Sequence, residues 1–213
     1  MLQKEQLDLL ASAKITDFNV MSSYSNNEDL AKQIENFLSN TLSNNDFISE
    51  INQIIFSLIN YILAAANFDF ARVSLMAQNE DLESYFPSWH IDKTIAEENN
   101  SVETSAEYVF IIALKGSSTL YHSIDDLTRS EFFQIANESS HSYGYDKNLY
   151  YIKDQGLDSL FNIEHSKSAH YGQGSVHLAG KLKGAVHSSP EGEERMILIV
   201  TPLNYSDNNN KIL

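Results

Sequence analysis

Ser88-Trp89-His90-Ile91-Asp92, answered far downstream by Gly184-Ala185-Val186-His187-Ser188-Ser189-Pro190 and the run Arg195-Met196-Ile197-Leu198-Ile199-Val200, decides how this chain is read. Successive side chains of a strand point to opposite faces, so His90 and Asp92 can reach one metal ion while Ile91 faces away. The same spacing on a helix would splay the two groups. Tyr85-Phe86-Pro87 and Trp89, aromatic or apolar, suit a buried strand entering a pocket rather than a solvated loop. A second imidazole, His187, then arrives on a glycine-punctuated segment. Two imidazoles and one carboxylate are the set that holds ferrous iron on one side and leaves positions open for other ligands.

The run from Arg195 to Val200 is apolar on both faces and predicts a strand buried on both sides, with Arg195, Ile197 and Ile199 sharing one face. A guanidinium there needs a partner, and its planar fork matches a carboxylate. Two readings stand side by side. Arg195 either waits for a ligand carboxylate or pairs with Glu191, Glu193 or Glu194 at the strand's edge.

In order and spacing, His90-Ile91-Asp92, His187 and Arg195 resemble the iron(II)/2-oxoglutarate-dependent dioxygenases. With Ser88 to Asp92, Val109 to Thr119 and Gly184 to Pro190, residues 70 to 203 look closest to an uncharacterised bacterial family with an FHxD-like motif, a GxGT-like turn and an H-R-S-P-like motif. Ser188 stands where that family carries arginine, and Arg195 follows His187 by eight positions, closer than the commonest oxygenase spacing. The resemblance implies a double-stranded β-helix, or jelly roll, with His90, Asp92 and His187 as ligands of Fe(II). It also implies 2-oxoglutarate as cosubstrate, its far carboxylate held by Arg195. Thr119 and Tyr121 carry hydroxyls that could hydrogen-bond that carboxylate, cross-strand packing being the alternative. His177, ten positions before His187, is the rival for third ligand, and the resemblance favours His187. His122, His141, His165 and His170 have polar neighbours and read as surface or loop residues, His122 being the least settled of them.

Composition bounds the rest. At 213 residues the chain can bury one substantial core. Residues 1 to 213 are read as a single domain of α+β or mainly β class, with a helical annex over about 1–66 packed on one sheet, a β core over about 67–203 and a polar tail over 204–213. With no cysteine, disulfides, zinc-thiolate sites and iron–sulfur clusters are excluded. The net charge of −15 argues against nucleic-acid and anionic-membrane partners. Met1 to Gln6 lacks the charged and apolar regions of a signal peptide, and the longest apolar run, Ile54 to Ala66, is short for a bilayer. A cytoplasmic location is therefore expected. The substrate and the oligomeric state are not written in the sequence.

Helices are expected over about Glu28 to Leu38, from Asn45-Asp46 through a stripe of Ile48, Ile51, Ile55, Leu58, Ile62 and Leu63, and over Asp125 to Ile135. Strands are expected over Phe68 to Met76, Phe86 to Asp92, Tyr108 to Leu114, Thr119 to Ser123, Tyr150 to Ile152, Leu160 to Ile163 and Ser175 to Ala179. Residues 1 to 26 give no regular pattern. The acidic stretch from Glu97 to Glu107 reads as a solvated connection or a lid beside the metal.

If the resemblance holds, the reaction is oxidation of a substrate C–H bond. A cupin-like metalloenzyme that uses Arg195 to hold a substrate carboxylate directly is the first alternative. A noncatalytic binding or interaction protein on the same scaffold is the second.

Overall fold

The structure is a computed structural model and describes residues 2–43, 45–79, 89–98, 107–138, 149–151, 161, 166–188 and 193–203. Its elements are helices α1 (Lys4–Ser12), α2 (Leu30–Thr41), α3 (Ile48–Ala66), α4 (Ile95–Glu98) and α5 (Asp126–Glu138). The strands are β1 (Asn19–Tyr24), β2 (Phe70–Gln78), β3 (His90–Asp92), β4 (Glu107–Lys115), β5 (Leu120–His122), β6 (Leu149–Tyr151), β7 (Lys167–Ser168), β8 (Gly174–Ala179), β9 (Val186–Ser188) and β10 (Arg195–Leu203). The protein is mixed α+β, with two antiparallel sheets ordered β1-β2-β10-β4-β8 and β6-β3-β9-β5-β7.

The annex expected over 1–66 contains more than helices. β1 pairs with β2 from Asn19↔Ala77 to Tyr24↔Arg72 and so forms an edge of the first sheet. Helix α3 begins after a single 3₁₀ turn over Asn45–Phe47 and buries Ile48, Ile51, Ile54, Ile55, Leu58, Ile59 and Ile62. It ends at Asn67, whose φ of 56° is the left-handed cap that asparagine tolerates. By length and composition this helix could cross a membrane, being longer than the apolar run suggested. Its buried stripe is instead packed on β2 and β10, as in a helix covering a sheet.

Three apolar clusters follow from the strand period. Val73, Leu75, Leu198 and Val200 turn outward to α1, α2 and α3. Met76, Val109, Ile111, Ala113, Ala179 and Ile197 form an inner cluster on the first sheet's other face. Ile91 and Val186 of the second sheet pack with Trp89, Phe161 and the α5 residues Phe132 and Phe133. Ile91 thus faces away from the side that carries His90 and Asp92.

Strand bounds otherwise move by a few residues from those expected. The proposed lid lies largely outside the described residues, as do the upstream part of the Phe86–Asp92 strand, most of Leu160–Ile163, His141, His165 and the polar tail. At its near end the expected loop holds the short helix α4, where the Glu97 carboxylate accepts from the Lys181 backbone N–H at 2.8 Å.

Candidate metal centre

Strand pairing brings the site together. In the second sheet His90 stands opposite His187, and Tyr121 stands opposite His187 on the other side, so three neighbouring strands present these side chains on one face. The His90 and His187 ring centroids are 4.1 Å apart. His90, Asp92 and His187 each offer a ligand atom, all within 4.8 Å of one another. Both imidazoles are buried, and Asp92 keeps about a fifth of its side chain exposed. These are the three metal residues expected from the sequence.

The connection between β8 and β9 fixes the geometry. The Gly180 N–H donates to the Asp92 carbonyl at 2.8 Å, Gly184 N–H to the Gly180 carbonyl at 2.6 Å, and Arg129 Nη1 to the Gly184 carbonyl at 2.9 Å. A Cβ on Gly184 would run into the Ile91 side chain and the Gly180 backbone, so only glycine lets the hairpin close this tightly on β3.

The ring protons distinguish the imidazoles. His187 Nδ1 lies 3.0 Å from the Ala185 carbonyl, which can only accept, so Nδ1 carries the proton. Burial first, then the neighbouring His90, push this imidazole well below its ordinary pKa and keep it neutral. Its Nε2 therefore turns a lone pair toward Asp92 Oδ2, 3.5 Å away. Burial alone would raise the Asp92 carboxyl. The surrounding His187, His177 and His90 rings and the His177 hydrogen bond outweigh it and hold the carboxyl well below the usual carboxylate range. Two electron-pair donors facing each other across a buried gap are what a cation would bridge. The donor set fits a divalent metal of the borderline class, such as Fe(II), Mn(II) or Zn(II).

His177, the rival ligand, also reaches the site, from the first sheet. It is buried opposite Val109, and its Nε2 is 2.9 Å from Asp92 Oδ2. An ionised carboxylate only accepts, so His177 Nε2 bears a proton here and offers Asp92 an N–H rather than a lone pair.

Arg195 heads β10 with 1% of its surface exposed. Nε donates to the Ser117 carbonyl at 2.9 Å and Nη2 to Thr119 Oγ1 at 2.8 Å, while buried Nη1 has no hydrogen-bond partner among the described residues. Among the described residues it makes no salt bridge. Glu194, one of its expected partners, is 3.4 Å from Lys115 Nζ instead. Burial pulls the guanidinium down to about 10, against the opposing influence of Tyr121 and Glu193. A cavity of about 620 Å³ beside this turn, between Ala11, Lys115 to Ser118 and Ser168 to Tyr171, is lined by neither Arg195 nor the metal triad.

Thr119 is thus in place beside Arg195. The hydroxyl of Tyr121 is engaged elsewhere, 2.6 Å from Ser175 Oγ and 3.3 Å from His177 Nδ1. Burial raises its pKa to about 12, with opposing contributions from Ser175 and Arg195 and a further rise from Asp92. His122 is half-buried rather than a surface residue, its ring 5.7 Å from Trp89 and 5.3 Å from Phe161. Sequence reasoning missed Ser175, whose small side chain carries no signal beyond its place two residues before His177.

No protein-family model matches the chain, and no curated protein is significantly similar to it in sequence.

Proposed function

We propose that the protein is an Fe(II)- and 2-oxoglutarate-dependent oxygenase built on a double-stranded β-helix. The fold reading is supported by strand alternation. β2, β4, β8 and β10 lie in one sheet, β3, β5, β7 and β9 in the other, and the orders β2-β10-β4-β8 and β3-β9-β5-β7 are those of a folded ribbon of strands. The Asp92–His177 hydrogen bond spans the two sheets, so they face each other across the site.

His90, Asp92 and His187 would hold the metal, leaving the opposite side open. With Fe(II) and 2-oxoglutarate bound, the chemistry supplied is oxidation of a substrate C–H bond by O₂, giving the hydroxylated product, succinate and carbon dioxide. The carrying observation for the cosubstrate is Arg195, a buried cation in the same interior with Nη1 unmatched and no carboxylate partner among the described residues. Arg195 would anchor the far carboxylate. The Thr119 hydroxyl accepts from Arg195 and so keeps its own proton to donate to the same anion. Ala185 keeps the His187 ring aimed, and the buried imidazoles and Trp89 exclude bulk water from this side.

The test is an anaerobic titration with Fe(II) and 2-oxoglutarate, followed by the weak visible charge-transfer band of the chelate. His90→Ala is expected to abolish the band, and Arg195→Ala to raise the 2-oxoglutarate concentration needed to reach it. An unchanged band in both variants sinks the assignment. A second reading is favoured by the Arg195 fork, since Nε and Nη2 are already engaged and only Nη1 is unmatched. A cupin-like enzyme holding a substrate carboxylate directly needs no more than this, and absence of succinate release with a competent substrate would select it.

A further inference from the structure

We propose that His177 is a positioning residue that aims the Asp92 carboxylate at the metal, through a relay Ser175–Tyr121–His177–Asp92. The inference rests on the metal reading of the site given above.

The relay crosses between the sheets three times. Ser175 and His177 project from β8, two positions apart and so on one face, while Tyr121 and Asp92 project from the facing strands β5 and β3. The contacts are 2.6 Å from Ser175 Oγ to Tyr121 Oη, 3.3 Å from Tyr121 Oη to His177 Nδ1, and 2.9 Å from His177 Nε2 to Asp92 Oδ2. Their direction follows from the far end. Asp92 accepts, so Nε2–H donates; in the neutral ring Nδ1 then accepts from the Tyr121 hydroxyl, whose oxygen also lies against Ser175 Oγ.

An N–H pointed at Oδ2 removes His177 from the ligand set as long as the bond stands. It also limits rotation of the carboxylate and leaves the remaining oxygen lone pairs for a metal. His187, with its proton on the other nitrogen, has the opposite polarity. The two histidines ten positions apart therefore divide the labour, one as ligand and one as donor to a ligand, because the Ala185 carbonyl and the Asp92 carboxylate, both acceptors, fix opposite tautomers.

The experiment compares metal-free wild type, His177→Ala, His177→Gln and Tyr121→Phe in anaerobic Mn(II) and Co(II) titrations, with imidazole nitrogen NMR on the metal-free proteins. His177→Ala is expected to weaken Mn(II) binding by about 10–100-fold, the usual cost of losing an outer hydrogen bond to a ligand. Glutamine, which can place an amide N–H near the same spot, is expected to recover most of that loss. The Co(II) absorption bands should keep their positions, since the ligand set is unchanged. NMR should show the His177 proton on Nε2 in wild type and also in Tyr121→Phe, where the Asp92 carboxylate still accepts it. Equal Mn(II) affinities in all four proteins would overturn the inference and leave the metal reading standing. Co(II) bands shifted by loss of a nitrogen ligand in His177→Gln would also overturn it, by putting His177 on the metal. A wild type that binds neither metal overturns both readings.

Discussion

Replacing Arg195 with methionine separates binding from stability in a way the structure makes quantitative. The side chain is 1% exposed and makes two hydrogen bonds, to the Ser117 carbonyl and Thr119 Oγ1, with Nη1 unmatched. Hydrogen bonds from a charged donor contribute about 1.5–3 kcal/mol each, so the two offset the several kcal/mol that burying a guanidinium costs. Methionine forfeits both bonds and leaves the Ser117 carbonyl short of a donor, at about 1–3 kcal/mol, but removes the buried charge altogether. The net change in folding free energy is expected to be small, within about 2 kcal/mol of zero. Anion binding has no such compensation. Loss of one charge-assisted bond of about 1.5–3 kcal/mol weakens binding by roughly 10–150-fold.

Urea denaturation gives the first quantity, and calorimetric titration of 2-oxoglutarate into Mn(II)-loaded protein gives the second. Because burial brings the Arg195 guanidinium down to about 10, wild-type affinity should also fade as pH rises through that value, where the charge is lost. A methionine variant that unfolds far more easily yet binds 2-oxoglutarate as well as wild type would refute the reasoning. Arg195 would then be a structural tie between β10 and residues 117–119.

Three further outcomes are expected. Mn(II) at a hundred times its dissociation constant should stabilise wild type by about 2.7 kcal/mol in thermal or urea melts. His90→Ala and His187→Ala should abolish that increment, and retention in both would place the metal elsewhere. In metal-free buffer, stability should fall as pH drops below about 6.5, by up to about 1.4 kcal/mol per pH unit, because the unfolded chain takes up a proton that folded His187 refuses. Asp92, whose folded value is depressed, loses its contribution only in stronger acid; His187→Gln should therefore flatten the profile between pH 6.5 and 5, and an identical slope counts against a neutral buried His187. Gly184→Ala should cost about 1–3 kcal/mol, since the added methyl meets Ile91 and Gly180, and should weaken Mn(II) binding by shifting His187 relative to Asp92. Unaltered affinity in a destabilised Gly184→Ala protein would detach the hairpin from the site.

Much of the site was legible because strand periodicity is strict. Ile91 goes to the apolar cluster with Val186 and Phe132 while His90 faces His187, as alternation requires. The α3 stripe and the two-faced burial of β10 were legible for the same reason. Helix α1 was not, since its single fully buried residue is Leu10 and its mixed sequence shows no apolar stripe. Nor was β1, an edge strand whose half-exposed residues give no alternation. The pairing register shifts between Met196 and Ile197, opposite Lys115 and Ala113, next to the point where Arg195 meets the 117–119 segment. Such a bulge is set by contact between distant strands, and local composition carries no trace of it. The protonation patterns of His177 and His187 were equally hidden, because each depends on the partner of one ring nitrogen. For His177 the deciding partner, Asp92, is 85 residues away.

The helices bear on the site although the metal residues lie on the other side of a sheet. β10 has two apolar faces, and a strand of that kind persists only with a layer on each side. On one side Met196, Leu198 and Val200 join the buried stripe of α3. On the other, Ile197 and the inner residues of β2, β4 and β8 leave room for a second sheet. Polar groups are tolerated in that inner space only where each has a partner or awaits one. They are grouped there: His177 with Asp92, Arg195 with Thr119, His187 with Ala185. The partners left over, the Nε2 lone pair of His187 and the Nη1 of Arg195, have opposite electrical character. A cation suits one and an anion the other, which is the pair of ligands the proposed function brings to this interior.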